Sequence, residues 1–278
     1  MKNSYQAAWC IGAIFAAATL KVAAVTTVVT NDAFGLATAL APAPGAATVT
    51  GSFVEQSGVG QIGSFTDGAA SIGFGSGVIL SSGNVTGIAV GATVPLNTAF
   101  GGSPSFSTGA LLNQIPGLGS SYSDTVRFSL TINAGVINDF VNFSFAYLTS
   151  EISPSDRFGI FVDGVYTGFL AGSPIDQGHP WINTSVPSLG FEQALYQDAN
   201  PLNPQFFTLS LNVPNPGSNF ELDFVVADVF GDGIDTAVFL GEFSATETAL
   251  GVVVIPEPST SALVALAGLA WVRRRKRN

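Results

Sequence analysis

The chain has 278 residues, 47% hydrophobic and only 10% charged, with 32 glycines spread along its length and a formal net charge of −10. So few charges among so many apolar residues exclude a disordered acidic tail and a coiled coil. Residues 25 to 255 hold 18 acids against two bases, Arg127 and Arg157, a net −16 that repels nucleic acid and anionic membranes and attracts cations.

The first 24 residues begin with Lys2, continue as an apolar stretch from Ala7 to Leu20 and end in the small residues Val22, Ala23 and Ala24. That is the three-part plan of a secretory signal peptide, read as a signal helix over 1–24 that hands the chain to the Sec export machinery and is removed. The one cysteine, Cys10, lies inside it, preceded by the bulky Trp9, which argues against a lipoprotein site. Export therefore leaves a body without cysteine, held by its core or by a bound metal and not by disulfides.

Residues 25–47 contain Pro42 and Pro44 among small residues and read as a linker or a short helix leading in. From 48 to 248 the texture changes to short alternating or aromatic runs separated by Gly, Asn, Asp, Ser and Pro. Strands are expected at 47–55, 69–75, 76–83, 124–132, 140–148, 157–164, 165–170, 206–213, 220–229 and 236–245. Phe128, Leu130 and Ile132 share one face at period two, as do Phe143, Phe145 and Tyr147. Asp163-Gly164 separates two strand-like runs as a tight hairpin does. No helix of consequence and no internal repeat interrupts this pattern, so the fold class is all-β: a single two-sheet β-sandwich, jelly-roll-like, flanked by an N-terminal signal helix and a C-terminal anchor helix.

Two acid groups carry the most chemistry, Glu151, Asp156 and Asp163 in one region and Asp228, Asp232 and Asp235 in the other. Calcium takes six to eight hard oxygen ligands, which carboxylates and Gly-rich carbonyls at strand ends supply. The spacing is not that of an EF-hand, and the same acids also serve as turn caps or partners of Arg157. Trp181 and Tyr196, in loop-like sequence, are candidate sugar-stacking rings or simple loop anchors. His179 is the only histidine and stands before Pro180 and Trp181, a poor setting for a catalytic triad. One histidine and no mature cysteine argue against zinc. Paired carboxylates keep a glycosidase as a lesser alternative. The expectation is a protein that is not an enzyme.

The chain closes with Pro256-Glu257-Pro258, an uncharged, mostly apolar run over 259–272, and the basic cluster Arg273, Arg274, Arg275, Lys276 and Arg277. At 14 residues the run falls short of the roughly 20 that span a bilayer comfortably, while the basic block is of the kind retained on the cytoplasmic side. These three parts in this order resemble the PEP-CTERM sorting signal, placed here over 249–278. The resemblance implies a Gram-negative host, an intermediate held in the inner membrane by an anchor helix, cleavage by an exosortase near Pro256-Glu257-Pro258, and a link to exopolysaccharide synthesis.

The body has a resemblance of its own, carried by Gly77-Val78-Ile79-Leu80-Ser81, by Ser150-Glu151 after an aromatic strand, by Phe158-Gly159-Ile160-Phe161-Val162-Asp163-Gly164, and by the stretch from Ala227 through Asp235 to Leu240. Together these look like the choice-of-anchor L domain of bacterial surface proteins. Such domains often place two acids after the serine, whereas Ile152 follows Glu151 here, so one charge of the pattern is missing. The resemblance implies an extracellular β-sandwich module with no known enzymatic activity. Taken with the sorting signal, the expectation is an exported cell-surface or extracellular-matrix protein with a structural or adhesive role linked to exopolysaccharide and biofilm. The alternatives are a calcium-dependent carbohydrate-binding module and, behind it, a secreted hydrolase.

Overall fold

The computed structural model describes residues 25–40, 48–70, 72–86, 100–116, 121–149, 156–167, 169–170, 173–176, 194–195, 207–229 and 235–254. Its strands, in chain order, are β1 (Thr26–Val29), β2 (Thr48–Gln56), β3 (Ile62–Thr66), β4 (Gly77–Ser81), β5 (Tyr122–Asn133), β6 (Phe140–Thr149), β7 (Arg157–Val162), β8 (Val165–Tyr166), β9 (Phe169–Leu170), β10 (Ser173–Asp176), β11 (Ala194–Leu195), β12 (Phe207–Asn212), β13 (Asn219–Val229), β14 (Thr236–Thr246) and β15 (Val252–Val254). Two short helices join them, α1 (Ala33–Leu40) and α2 (Phe106–Leu112).

Among the described residues one sheet runs β1-β3-β4-β14-β6-β12-β15 with β11 beside β6, and the second runs β2-β5-β13-β7-β10-β9 with β8 beside β7. Every pairing is antiparallel except β12 with β15. The expected all-β sandwich is therefore the fold. Phe128, Leu130, Ile132, Phe143, Phe145 and Tyr147 meet between the sheets in one core, as their period-two spacing requires. Within it Phe143 meets Phe224 edge-on at 5.0 Å, and Phe158 stacks on Phe224 at 6.3 Å. Helix α1 touches β2 in one sheet and β4 in the other, adding Leu36, Ala37 and Leu40 to the same core.

Both sheets are also covered on their outer faces, which is why β4, β7 and the second half of β13 are buried at every position. Phe65, Ile79 and Phe239 are covered by Ile72 and Phe74 on the first sheet. Phe161, Val225 and Ala227 are covered by Leu111, Leu112 and Ile115 from α2 and the turn after it on the second. Strands that lose their alternation in this way read as continuous apolar runs.

Three sequence expectations are corrected. Residues 25–40 do more than lead in: β1 forms an edge of the first sheet, and the short helix allowed for there, α1, is part of the core. The strand expected at 69–75 is instead a 3-10 turn over Gly68–Ala70 followed by turn and bend. Ile72 donates to the Gly68 carbonyl at 2.8 Å and Gly68 to that of Gly75 at 3.0 Å, closing a loop that lays Phe74 on Phe65. The alternation of Ile72 and Phe74 thus serves a surface plug and not a ladder. Finally, β15 falls inside the stretch assigned to the sorting signal, yet it pairs with β12 of the body. No helix among the described residues is long and apolar enough to cross a membrane. The expected signal helix over 1–24 and anchor helix over 259–272 lie outside those residues.

Candidate functional site: a buried acid end and an open aromatic groove

The antiparallel register gathers the chain's polar interior at one end of the sandwich. There β4, β6 and β13 end and β3, β5, β7 and β14 begin, so Gln61, Ser81, Ser82, Asp124, Asp156, Asp228, Asp235 and Thr236 come together. The four aspartates are each only 1% exposed. Ser82 is the hinge of the arrangement. Its hydroxyl donates to Asp156 Oδ2 at 3.0 Å and accepts from the Thr236 backbone N–H at 2.9 Å, tying the two sheets together. The Gln61 amide donates to the carbonyls of Ser82 and Asp124, both at 2.8 Å, and accepts from Gly58 N–H at 2.7 Å. Asp124, with φ +46°, lies in the bulge between the Val126–Val226 and Ser123–Asp228 pairs, and its carboxylate accepts from the N–H groups of Phe100 and Gly102 at 2.9 and 3.3 Å. Asp235 lies against Gly83 so closely that a Cβ there would fall 1.8 Å from its Oδ2, so a larger residue at that position would displace the Asp235 carboxylate. Arg157, also buried, donates to the Asp156 carbonyl at 3.3 Å.

Of the six acids singled out in the sequence, Asp156, Asp228 and Asp235 belong to this end. Asp163 does not: β7 separates it from Asp156, about 20 Å of extended chain. It sits in the β7–β8 turn with φ +49°, accepting from the Glu221 backbone N–H at 2.8 Å and donating its own to the Glu221 carbonyl at 2.9 Å. Glu151 and Asp232 lie outside the described residues, as do Trp181, Tyr196, Pro256, Glu257, Pro258 and the basic cluster Arg273 to Arg277. No group of three or more metal-ligating side chains occurs among the described residues. Ser82, Gln61 and Asp124 were missed in the sequence. The only signal for them is a polar triplet, Ser81-Ser82-Gly83, directly after a fully buried strand.

A second feature opens on the outer face of the second sheet. Val54 packs toward the core, so Phe53 and Glu55 on the same strand face outward, beside Ser129 and Arg127 of β5. The Arg127 guanidinium pairs with Asp223 at 2.9 Å and Glu221 at 3.1 Å and sits 5.9 Å from the centre of the Phe53 ring. Asp223 also accepts from the Ser129 hydroxyl. Beyond Glu55 the surface continues as a groove of about 500 Å³ between α2 and the start of β5, lined among others by Ser103, Ser105, Phe106, Asn113, Ser121 and Tyr122. Ser105 caps α2, its hydroxyl accepting from Thr108 N–H at 3.3 Å. Burial raises the Tyr122 phenol above its ordinary value near 10, and its hydroxyl donates to Asn113 Oδ1 at 3.0 Å.

A β-sandwich that ends in a docked edge strand and runs straight into a sorting signal defines an exported surface module. The chain belongs to the choice-of-anchor L domain family, whose pattern it matches over residues 27–246. It also carries the PEP-CTERM protein-sorting motif, matched over residues 254–277. No curated protein matches the chain. Among solved structures, a non-crystalline-cellulose-specific carbohydrate-binding module, CBM28, is similar at 15% identity, covering 44% of this chain and 67% of that one with a TM-score of 0.22. At that level the likeness carries no argument about ligand.

Proposed function

We propose that this chain is a non-catalytic component of the extracellular matrix, held in the inner membrane by its tail, cut free by an exosortase, and retained at the surface through contact with exopolysaccharide, where it supports biofilm cohesion. The observation that carries this is the join between body and signal: β15 closes the sandwich at Val254, and the sorting motif begins there. A cut beyond Val254 would thus release the folded body with its closing strand in place. Buried aspartates at 1% exposure, engaged in holding strand ends, are poorly placed to reach a substrate, which favours a binding role over hydrolysis. The test is to produce the chain in its host as wild type and as Glu257→Ala, with and without the exosortase, and to measure intact mass and location. Released wild-type protein lacking residues 259–278, with the variant trapped in membranes, is the expected result. Released protein that keeps its basic cluster would overturn it.

A calcium-dependent variant of this function is a second reading of the acid end. Asp124, Asp156, Asp228 and Asp235 are buried there, but no three of them are grouped to hold a metal among the described residues, so an ion at this end would have to draw further oxygen ligands from outside them. Melting the purified protein with calcium and with chelator, followed by metal analysis, decides it: a chelator-sensitive rise in Tm with bound calcium supports the site, and no shift with no metal removes it.

A further inference from the structure

We propose that the groove between α2 and the start of β5 binds a neutral polysaccharide chain, with Phe53 continuing its track along β2. This deepens the matrix role proposed above and rests on it.

Packing does not account for Phe106. Helix α2 buries Thr108, Leu111 and Leu112 against the sheet, while Phe106, the first residue after the cap, is 96% exposed. An apolar ring left in water beside a groove is a surface waiting for a flat apolar face, and the C–H face of a pyranose is one. Phe53 is 51% exposed on the same side of the sheet. Between the two rings stands Glu55, whose carboxylate accepts from Ser105 N–H at 2.8 Å, Ser105 Oγ at 2.9 Å and Thr108 Oγ1 at 2.8 Å. Those bonds pin the helix that carries Phe106 to the strand that carries Phe53, so both rings are set before a ligand arrives.

The lining is chemically specific. It combines two aromatic side chains, Phe106 and Tyr122, with serine hydroxyls and the Asn113 amide, and no charged residue lines it among the described residues. Tyr122 donates to Asn113 Oδ1, which fixes the amide and leaves Nδ2 as a donor at the groove. Hydroxyl and amide groups exchange hydrogen bonds with sugar hydroxyls, and the volume of about 500 Å³ lies within the range of small-ligand sites, about 300–1,000 Å³. The excess of 18 acids over two bases across residues 25 to 255 repels a uronate or sulfated chain, which leaves a neutral one.

The experiment is affinity electrophoresis of the exported protein in gels containing hydroxyethylcellulose, xyloglucan, galactomannan or dextran, with alginate and hyaluronan as anionic probes. Retardation by at least one neutral polymer is expected, weakened about tenfold or more in Phe106→Ala and less in Phe53→Ala, and restored in Phe106→Trp. Because Phe106 is exposed, its variants keep the wild-type Tm, so lost binding is not lost folding. Retardation unaffected by Phe106→Ala overturns the groove while sparing polysaccharide retention elsewhere on the body. Retardation by the anionic polymers alone overturns the neutral ligand. No retardation by any polymer overturns both the groove and the retention proposed above.

Discussion

Ser82→Ala isolates the bond that ties the two sheets at the acid end. Ser82 is fully buried, and its single oxygen donates to the Asp156 carboxylate at 3.0 Å and accepts from Thr236 N–H at 2.9 Å. A hydrogen bond to a charged group is worth about 1.5–3 kcal/mol, and taking the acceptor from a buried N–H costs about 1–3 kcal/mol. Since one atom serves both, the losses are not fully additive, and about 3–4 kcal/mol is expected. For a domain of this size each kcal/mol moves Tm by about 2–4 °C, so calorimetry should show a drop of roughly 6–15 °C. The exposed control Thr66→Ala, which loses only a bond to Asp67, should stay within about 1–2 °C. A Ser82→Ala protein melting within about 2 °C of wild type would refute the view that this hydroxyl holds the sheets in register.

Gly251→Ala places a Cβ 1.9 Å from the Thr208 carbonyl oxygen, so β15 should leave β12 and limited proteolysis should cut near Leu250, with the rest of the body intact. Phe224→Ala removes the ring that Phe143 and Phe158 pack against, and chemical denaturation should show a loss of about 3–5 kcal/mol. Tyr122 has its pKa raised by burial, so the folded state favours the protonated phenol. Its contribution is complete below about pH 10 and is lost as pH rises through the raised folded value. Tm should therefore fall as pH rises from about 10 to the raised folded value and level off beyond it, and Tyr122→Phe should flatten that limb.

The sandwich was legible because its long strands announce themselves: Phe128 to Ile132 and Phe143 to Tyr147 alternate cleanly, and both rows face the core. β3 was not, since Ile62, Gly63, Ser64 and Phe65 give a short run broken by glycine and serine that gains strand character only from β1 and β4 on either side. β15 was read as part of the tail because a valine run beside an apolar segment looks the same whether it pairs with a body or leads into a membrane. The acids were visible one by one, but their grouping follows from register. Asp156 and Asp228 meet because β7 and β13 run antiparallel with Arg157 opposite Ala227, and Asp163 is carried away by the length of β7. The groove left no trace in the pattern, since an exposed phenylalanine at a helix start contradicts the alternation by which buried residues are found.

The same register also fixes which way the module points. β15 runs parallel to β12 with Val254 opposite Leu211, and β12 meets β6 with Leu211 opposite Val141, so the chain leaves the body at the end where β6 begins. β1 enters at that end too, because Thr26 pairs with Thr66 and Val29 with Gly63. The acid end and Tyr122 lie at the other extreme, separated from it by the twelve residues of β5, about 40 Å of extended chain. Under the proposed function, a body tethered through its C-terminal strand has its groove at the end remote from the tether. Polysaccharide binding at the groove, as proposed, would then be independent of the cut at the tail, and a trapped Glu257→Ala protein should still be retarded by a neutral polymer.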